Sequence, residues 1–225
     1  MRNKKQMNKL ALQTKLKRLL IAGGLAALVA VPLLLGNPGM RKVDAAQGDV
    51  KINSTNFPDE GFRKYISGNI DLNEDGVLSK SEIKSVKTIY LGSASEVGGY
   101  TCKSLTGINI FTELQTLECS WNKLTKLDVS KNSKLEYLSC RFNELTKLDV
   151  SKNTKLVKLD CDDNELTKLD VSKNTKLVEL DCGSNKLTKL NISKNSKLMY
   201  LYCSWNKLTN LNISKNQDLR ELVCS

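Results

Sequence analysis

The chain has 225 residues, of which 40% are hydrophobic and 26% charged, so it can bury a core; it contains seven cysteines and no histidine. Without an imidazole, Ser-His and Cys-His nucleophilic sites, His-ligated metals and a histidine general base are excluded. The formal charge of +11 is concentrated at the start: residues 1–45 hold nine basic side chains against one acidic, which leaves 26 against 23, a net +3, from residue 46 onward. So nearly balanced a remainder gives no electrostatic ground for a nucleic-acid partner.

The first 18 residues are basic, and Leu19 to Leu35 run almost wholly apolar before Val43-Asp44-Ala45-Ala46 offers small residues for cleavage. Residues 1–46 read as a secretory signal peptide cut after Ala45 or Ala46. An uncleaved membrane anchor is the alternative, since 17 apolar residues reach the lower end of a spanning helix. Gly23, Gly24 and Pro32 weaken such a helix. Membrane contact then comes only through the leader if it stays uncleaved, and residue 47 onward lies outside the cytoplasm in either case.

Residues 47–90 suit an N-terminal helical cap. Pro58, Asp59 and Glu60 open a helix whose apolar stripe is Phe62, Tyr65 and Ile66. DLNEDGVLSKSE, residues 71–82, then satisfies the EF-hand loop pattern. Asp71, Asn73 and Asp75 supply side-chain oxygens, Val77 its carbonyl, Ser79 a direct or water-mediated contact and Glu82 a bidentate carboxylate. Gly76 makes the sharp turn and Leu78 points inward, with an exit helix expected from Ser81 to Ile89. Hard oxygen ligands at this spacing favour Ca²⁺ as the cofactor. A single loop is expected to lock the cap at extracellular calcium rather than to sense it cooperatively.

Residues 91–113 form a junction in which LTGINIF, Leu105 to Phe111, echoes the LTKLDVS motif that begins at Leu124. From Leu114 the sequence recurs every 21 residues without insertion or deletion, in five complete copies and one that runs from Leu219 to Ser225. Apolar residues occupy fixed columns, for example Leu135, Leu138, Cys140, Leu145, Leu148 and Val150. Six such side chains do not offset the entropy of ordering 21 backbones, so a single copy cannot fold alone. Stacked copies share their inward faces and pair their strands in parallel, which makes residues 114–225 a solenoid. Asn122, Asn143, Asn164, Asn185 and Asn206 fall where each strand must turn, and an inward amide satisfies backbone groups there.

The repeat L-x-x-L-x-C-x-x-N-x-L-T-x-L-D-V-S-K-N-x-K resembles the bacterial leucine-rich repeat of internalin type, in the variety with Cys in the strand. That resemblance covers Leu114 to Ser225. It implies an α/β repeat solenoid with a parallel sheet on the concave face, and a secreted or cell-surface bacterial protein that binds other macromolecules.

Cys119, Cys140, Cys161, Cys182, Cys203 and Cys224 are one repeat apart and form a single column. Export favours disulfides, but in-register parallel strands keep Cβ atoms about 4.8 Å apart, against the roughly 3.8 Å that a bridge prefers. A ladder of buried, reduced thiols is therefore expected, and the resembling family implies the same. Cys102 is out of phase, and its state is open.

Outward strand positions are the natural binding surface. They present an acidic middle, Asp160, Asp162, Glu179 and Asp181, flanked by Tyr137, Arg141, Tyr200 and Tyr202. Trp121, Phe142 and Trp205 share the place just before the turn Asn and line one rim. Exposed aromatics beside charge have the composition of recognition hot spots, so a protein or glycan ligand is expected on the concave face. Recurrent lysines, such as Lys126 and Lys131 with their equivalents, form a basic ridge on the back, which reads as a solvated face, with contact to an anionic cell-wall polymer or lipid as the alternative.

The expected function is binding without catalysis, with an envelope scaffold or a fragment of a larger surface adhesin as alternatives. A carboxylate pair such as Asp160 and Asp181 can be imagined in an enzyme, but the sequence supplies no pocket around it. The chain stops inside the strand of the sixth copy, so either it is a fragment of a longer surface protein or that end pairs its open edge with another molecule.

Overall fold

Three-residue strands arise wherever the repeat alternates outward, inward, outward. The computed structural model describes residues 48–92 and 101–225, and the leader lies outside the described residues. The strands are β3 (Thr88–Tyr90), β4 (Thr116–Glu118), β5 (Tyr137–Ser139), β6 (Lys158–Asp160), β7 (Glu179–Asp181), β8 (Tyr200–Tyr202) and β9 (Glu221–Val223). They form one parallel sheet in sequence order. From β4 on, each residue pairs with the residue 21 positions later, as in Leu117↔Leu138 and Leu138↔Leu159. An uninterrupted repeat length leaves no room for slippage, because a one-residue shift would turn every leucine outward.

Behind the sheet each coil returns through turns, and the described repeats contain no α-helix; the two α-helices among the described residues belong to the cap, and a single 3-10 turn, Ile108–Ile110, lies in the junction. Leu145, Leu148 and Val150 of one return leg, with their equivalents, are buried against Leu138 and Cys140 of the strands. The core is thus a narrow leucine and valine column running the length of the stack.

Two asparagine columns tie coil to coil. Asn143 at the strand turn donates from Nδ2 to the carbonyls of Cys119 in the preceding coil and of Cys140 and Arg141 in its own, while its Oδ1 accepts from Leu124 N–H at 3.0 Å. That is the turn-satisfying amide expected from the sequence. The second column, Asn132, Asn153, Asn174, Asn195 and Asn216, is more deeply buried than the first, whose last member, Asn206, is half-buried. Asn153 Nδ2 donates to the carbonyls of Val129 and Asn132 one coil earlier.

Helix α1 (Glu60–Asn69) buries Phe62, Tyr65 and Ile66, as the stripe predicts, and Asp59 caps its N-terminus by accepting from Phe62 N–H. The other Asp59 oxygen accepts from the N–H groups of Lys103 and Ser104, which fastens the cap to the junction. Phe57 packs edge-on against Phe62 and lies over Gly107, where an added Cβ would fall 2.5 Å from its ring; with φ at +102° that position excludes a side chain twice over.

The exit helix is shorter than expected. It is α2 (Lys80–Ser85), and Val86 ends it in extended backbone, so the chain enters β3 directly. Thr88 to Tyr90 pair with Thr116 to Glu118, so the first strand of the sheet comes from residues read as cap. The junction is also registered differently from its sequence echo. Cys102 N–H donates to Asn122 Oδ1 and its carbonyl accepts from Lys123, the bonds that Leu124 makes to Asn143 and Glu144. Cys102 therefore takes the place of Leu124, which the echo had assigned to Leu105.

Candidate functional site

The sheet presents three parallel rows. One holds Thr116, Tyr137, Lys158, Glu179 and Tyr200, and a second Glu118, Ser139, Asp160, Asp181 and Tyr202. A third, just past the strands, holds Ser120, Arg141, Asp162, Gly183 and Ser204. Because the strands are in register, neighbours within a row are about 4.8 Å apart and interact directly.

In the first row Lys158 lies between opposite partners, paired with Glu179 at 2.7 Å and 5.7 Å from the centre of the Tyr137 ring. Burial, helped by the Glu118 charge, pushes the Tyr137 hydroxyl up to about 12. The second row is less exposed than its outward position suggests: Ser139 and Asp160 are buried, as is Ser120 beside them. Their hydroxyls form a relay, Ser120 Oγ with Ser139 Oγ at 2.8 Å and Ser139 Oγ donating to Asp160 Oδ2 at 3.2 Å.

Asp160 and Asp181 pair in register, so two carboxylates stand side by side. Burial raises both, and with Asp160 and Asp162 as neighbours Asp181 reaches about 6. Gly183 relieves the crowding. A Cβ there would lie 2.8 Å from Asp162 Oδ1, and the Gly183 N–H donates to Asp181 Oδ1 at 3.1 Å.

The rim carries the aromatics. Trp121, Phe142, Asp163, Ser184 and Trp205 each hold a left-handed backbone just before the turn Asn, with φ between 45° and 57°. That conformation aims successive side chains along one edge. Trp121 and Phe142 stack at 3.7 Å between ring centres, and the Arg141 guanidinium lies over Phe142 at 4.8 Å. Trp205, four coils from Trp121, is 79% exposed. The rim and the rows thus bring together the acidic and aromatic residues expected there, with Tyr200 and Tyr202 at the far end of the sheet.

The cysteine column lines the inner side of this face. All seven cysteines are free thiols, and Cys119, Cys140, Cys161, Cys182 and Cys203 are buried, but Cys224 is exposed, which corrects its assignment to the buried ladder. Cys102 is a buried thiol outside the column, and burial pushes it up to about 12. Cys119 Sγ donates to the Ser139 carbonyl and Cys161 Sγ to the Asp181 carbonyl, so thiols also join coils.

In the cap the EF-hand-like loop is closed by its own backbone. Asp71 Oδ2 accepts from Gly76 N–H, Asp75 Oδ1 from Val77 N–H, and Asn73 Nδ2 donates to Asp75 Oδ2. Glu82 accepts from Leu72 N–H with one oxygen and from Ser79 N–H and Oγ with the other, which completes a capping box on α2. Among the described residues no three acidic or cysteine side chains converge as a metal site. Asp71 Oδ1 is nevertheless buried without a donor, and burial, with the Asp75 and Glu82 charges added, raises the Asp71 carboxyl. A hard cation fits that oxygen. Val77 and Leu78 form β2, which pairs antiparallel with β1 (Val50–Lys51).

The rows, the rim and the second asparagine column differ in legibility. The sheet residues follow from the period, but the burial of Ser120, Ser139 and Asp160 was missed, and so was the column from Asn132 to Asn216. Its recurrence in every S-K-N triplet was the available signal.

No protein-family model matches the chain, and no curated protein matches it. Among solved structures it is similar to the functional domain of InlJ from Listeria monocytogenes, described as including a cysteine ladder, at 34% identity and a TM-score of 0.62 over 79% of this chain and 43% of that one. It is also similar to the internalin InlF of Listeria monocytogenes, at 25% identity and a TM-score of 0.65 over 77% and 51% of the two chains. A leucine-rich repeat protein of Leptospira interrogans shares the fold at 21% identity, with a TM-score of 0.54 over 71% and 50%. The chain spans about half or less of each of these structures.

Proposed function

The chain is an internalin-like leucine-rich repeat solenoid with a cysteine ladder, and from that premise we propose that it is an exported bacterial surface protein whose sheet face binds a protein partner. One observation carries the reading: both tryptophans of the chain stand exposed on the same rim, Trp121 at 55% and Trp205 at 79%, beside a charged sheet. Large exposed aromatics next to Arg141 and the aspartate rows supply hydrophobic anchors with polar specificity around them. No helix among the described residues is long and apolar enough to cross a membrane.

The role is recognition, and the Asp160–Asp181 pair acts in it as a negative contact. Burial raises both carboxyls, so a cationic partner group placed over them restores the charge that burial disfavours. The proposal includes a calcium ion in the cap, held by Asp71, Asn73, Asp75, Glu82 and the Val77 carbonyl, with Ser79 in direct or water-mediated contact. The unpartnered Asp71 Oδ1 supports it. Such an ion supplies positive charge to a crowded acidic loop and stiffens the joint between α1 and α2.

The test is a pull-down of cell-surface proteins, followed by titration of the captured partner. Trp121→Ala, Arg141→Ala and Asp181→Asn are each expected to weaken binding at least tenfold, about 1.4 kcal/mol, whereas Lys147→Gln on the opposite side leaves it unchanged. Undiminished affinity in the three sheet-face variants overturns the reading. A glycan partner is the second reading, favoured by the bare indole of Trp205; enzymatic deglycosylation of the captured partner that abolishes binding would establish it in place of the first.

A further inference from the structure

The near balance of charge conceals a segregation by face. The return legs of four successive coils, residues 124–134, 145–155, 166–176 and 187–197, hold twelve lysines and three aspartates, a net +9. Residues 46–225 total +3, so everything else in them carries a net −6. The legs lie across the core from the acidic sheet, because their leucines and valines point inward to meet the strand leucines.

Lysines of the legs run in three columns with the 21-residue period: from Lys126 to Lys189, from Lys131 to Lys215 and from Lys134 to Lys197. Among the described residues only Lys134 of these is paired, with Glu113 at 2.6 Å, and the rest are exposed. Lysines that have a carboxylate partner across coils do use it elsewhere, as Lys158 does with Glu179. The leg aspartates serve a different purpose. Asp128, Asp149 and Asp170 accept from the N–H of Ser130, Ser151 and Ser172, and a neutral amide performs the same task at Asn191 and Asn212. These acids form turns, and the turn survives without their charge.

We propose that this lysine face binds a linear phosphate polymer laid along the stack axis. The invariant repeat length gives each column one ammonium per coil, repeating on the scale of the roughly 4.8 Å strand spacing. A flexible chain of phosphates can follow such a column and release its counterions to it. The four lysine-rich legs carry no exposed large hydrophobic side chain, since those of the described residues are Leu72, Trp121, Val157, Trp205, Ile213, Leu222 and Val223. Without an apolar residue to insert, the face suits a soluble polymer better than a lipid surface. The inference rests on the return legs alone and is independent of what the sheet face binds.

Fluorescently labelled long-chain polyphosphate, titrated by anisotropy against residues 47–225, tests it. Binding is expected at low salt and falls at least tenfold when salt rises about fourfold. Replacing Lys147, Lys152, Lys168 and Lys173 by Gln is expected to weaken it at least tenfold. The same change of total charge made at Lys64, Lys84, Lys87 and Lys103 leaves it within twofold. These lysines are exposed, and thermal melts of both variants verify that the fold is kept. Absence of binding at low salt, equal losses in the two variants, or tighter binding to phosphatidylglycerol vesicles than to polyphosphate would overturn the proposal.

Discussion

The side-chain amide of Asn153 donates to the backbone carbonyl of Asn132, one coil earlier, at 2.9 Å, and the Asn153 carbonyl in turn accepts from Asn174. Asn153, Asn174 and Asn195 thus each serve as both donor and acceptor within the column. Asn153→Ala removes the inter-coil donor to the Val129 and Asn132 carbonyls, which keep only their bonds from the Asn132 and Leu135 N–H groups, and is expected to cost about 1–3 kcal/mol in chemical denaturation. Thr154→Ala, next to it and exposed, is expected to stay within about 0.5 kcal/mol of the parent.

The thiols provide a second measurement. Burial raises the thiols of Cys119, Cys140, Cys161 and Cys182 well above their ordinary value and that of Cys203 to about 11. In native protein near pH 8, one thiol, Cys224, is expected to react promptly with a disulfide reagent, and all seven to react after denaturation. Their folded-state values lie above the unfolded one, so the stability they contribute is complete below about pH 8.5 and is lost as pH rises through the folded values. The unfolding free energy should therefore decline progressively above pH 9.

Asp181 gives a pH dependence of the same sign at the acid end. Its carboxyl is raised to about 6, so stability is greatest below the unfolded carboxylate value near 3.9 and decreases as pH rises through 6. Asp181→Asn retains an oxygen for the Gly183 N–H and removes the charge. It is expected to stabilise the fold by on the order of 1 kcal/mol at pH 7.5 and to make little difference at pH 4, measured by urea midpoints.

Calorimetry of calcium against the parent and Asp71→Ala checks the cap. One site with a Kd on the order of 10⁻⁶ to 10⁻³ M is expected in the parent, with none in the variant. Chelation should lower the stability of residues 48–92 more than that of the stack, as read by hydrogen exchange. Calcium uptake that survives in Asp71→Ala would reject this loop.

Rim geometry adds a substitution that should help. Ser184 holds φ at 45°, a region that costs an L residue about 1–2 kcal/mol. Ser184→Gly is expected to stabilise by up to about 1 kcal/mol once the added freedom of the unfolded chain is subtracted, measured by thermal melting. A Trp205→Gly change relaxes the same strain but removes an exposed anchor, so it separates stability from binding.

By itself the sequence determined the solenoid, its parallel register and the columns that fill it, because a 21-residue period without insertions forces equivalent residues into equivalent places. It also determined α1 and its buried stripe. What only the tertiary structure decided depends on contacts outside that period. Cys102 replaces a core leucine because the junction follows a different register from its sequence echo; β3 belongs to the sheet because Gln115 and Thr116 bond back to Lys87. Ser139 and Asp160 are buried because neighbouring coils cover an outward position with their own side chains. A period reports direction from the backbone, whereas burial and charge state depend on what the next coil brings beside it.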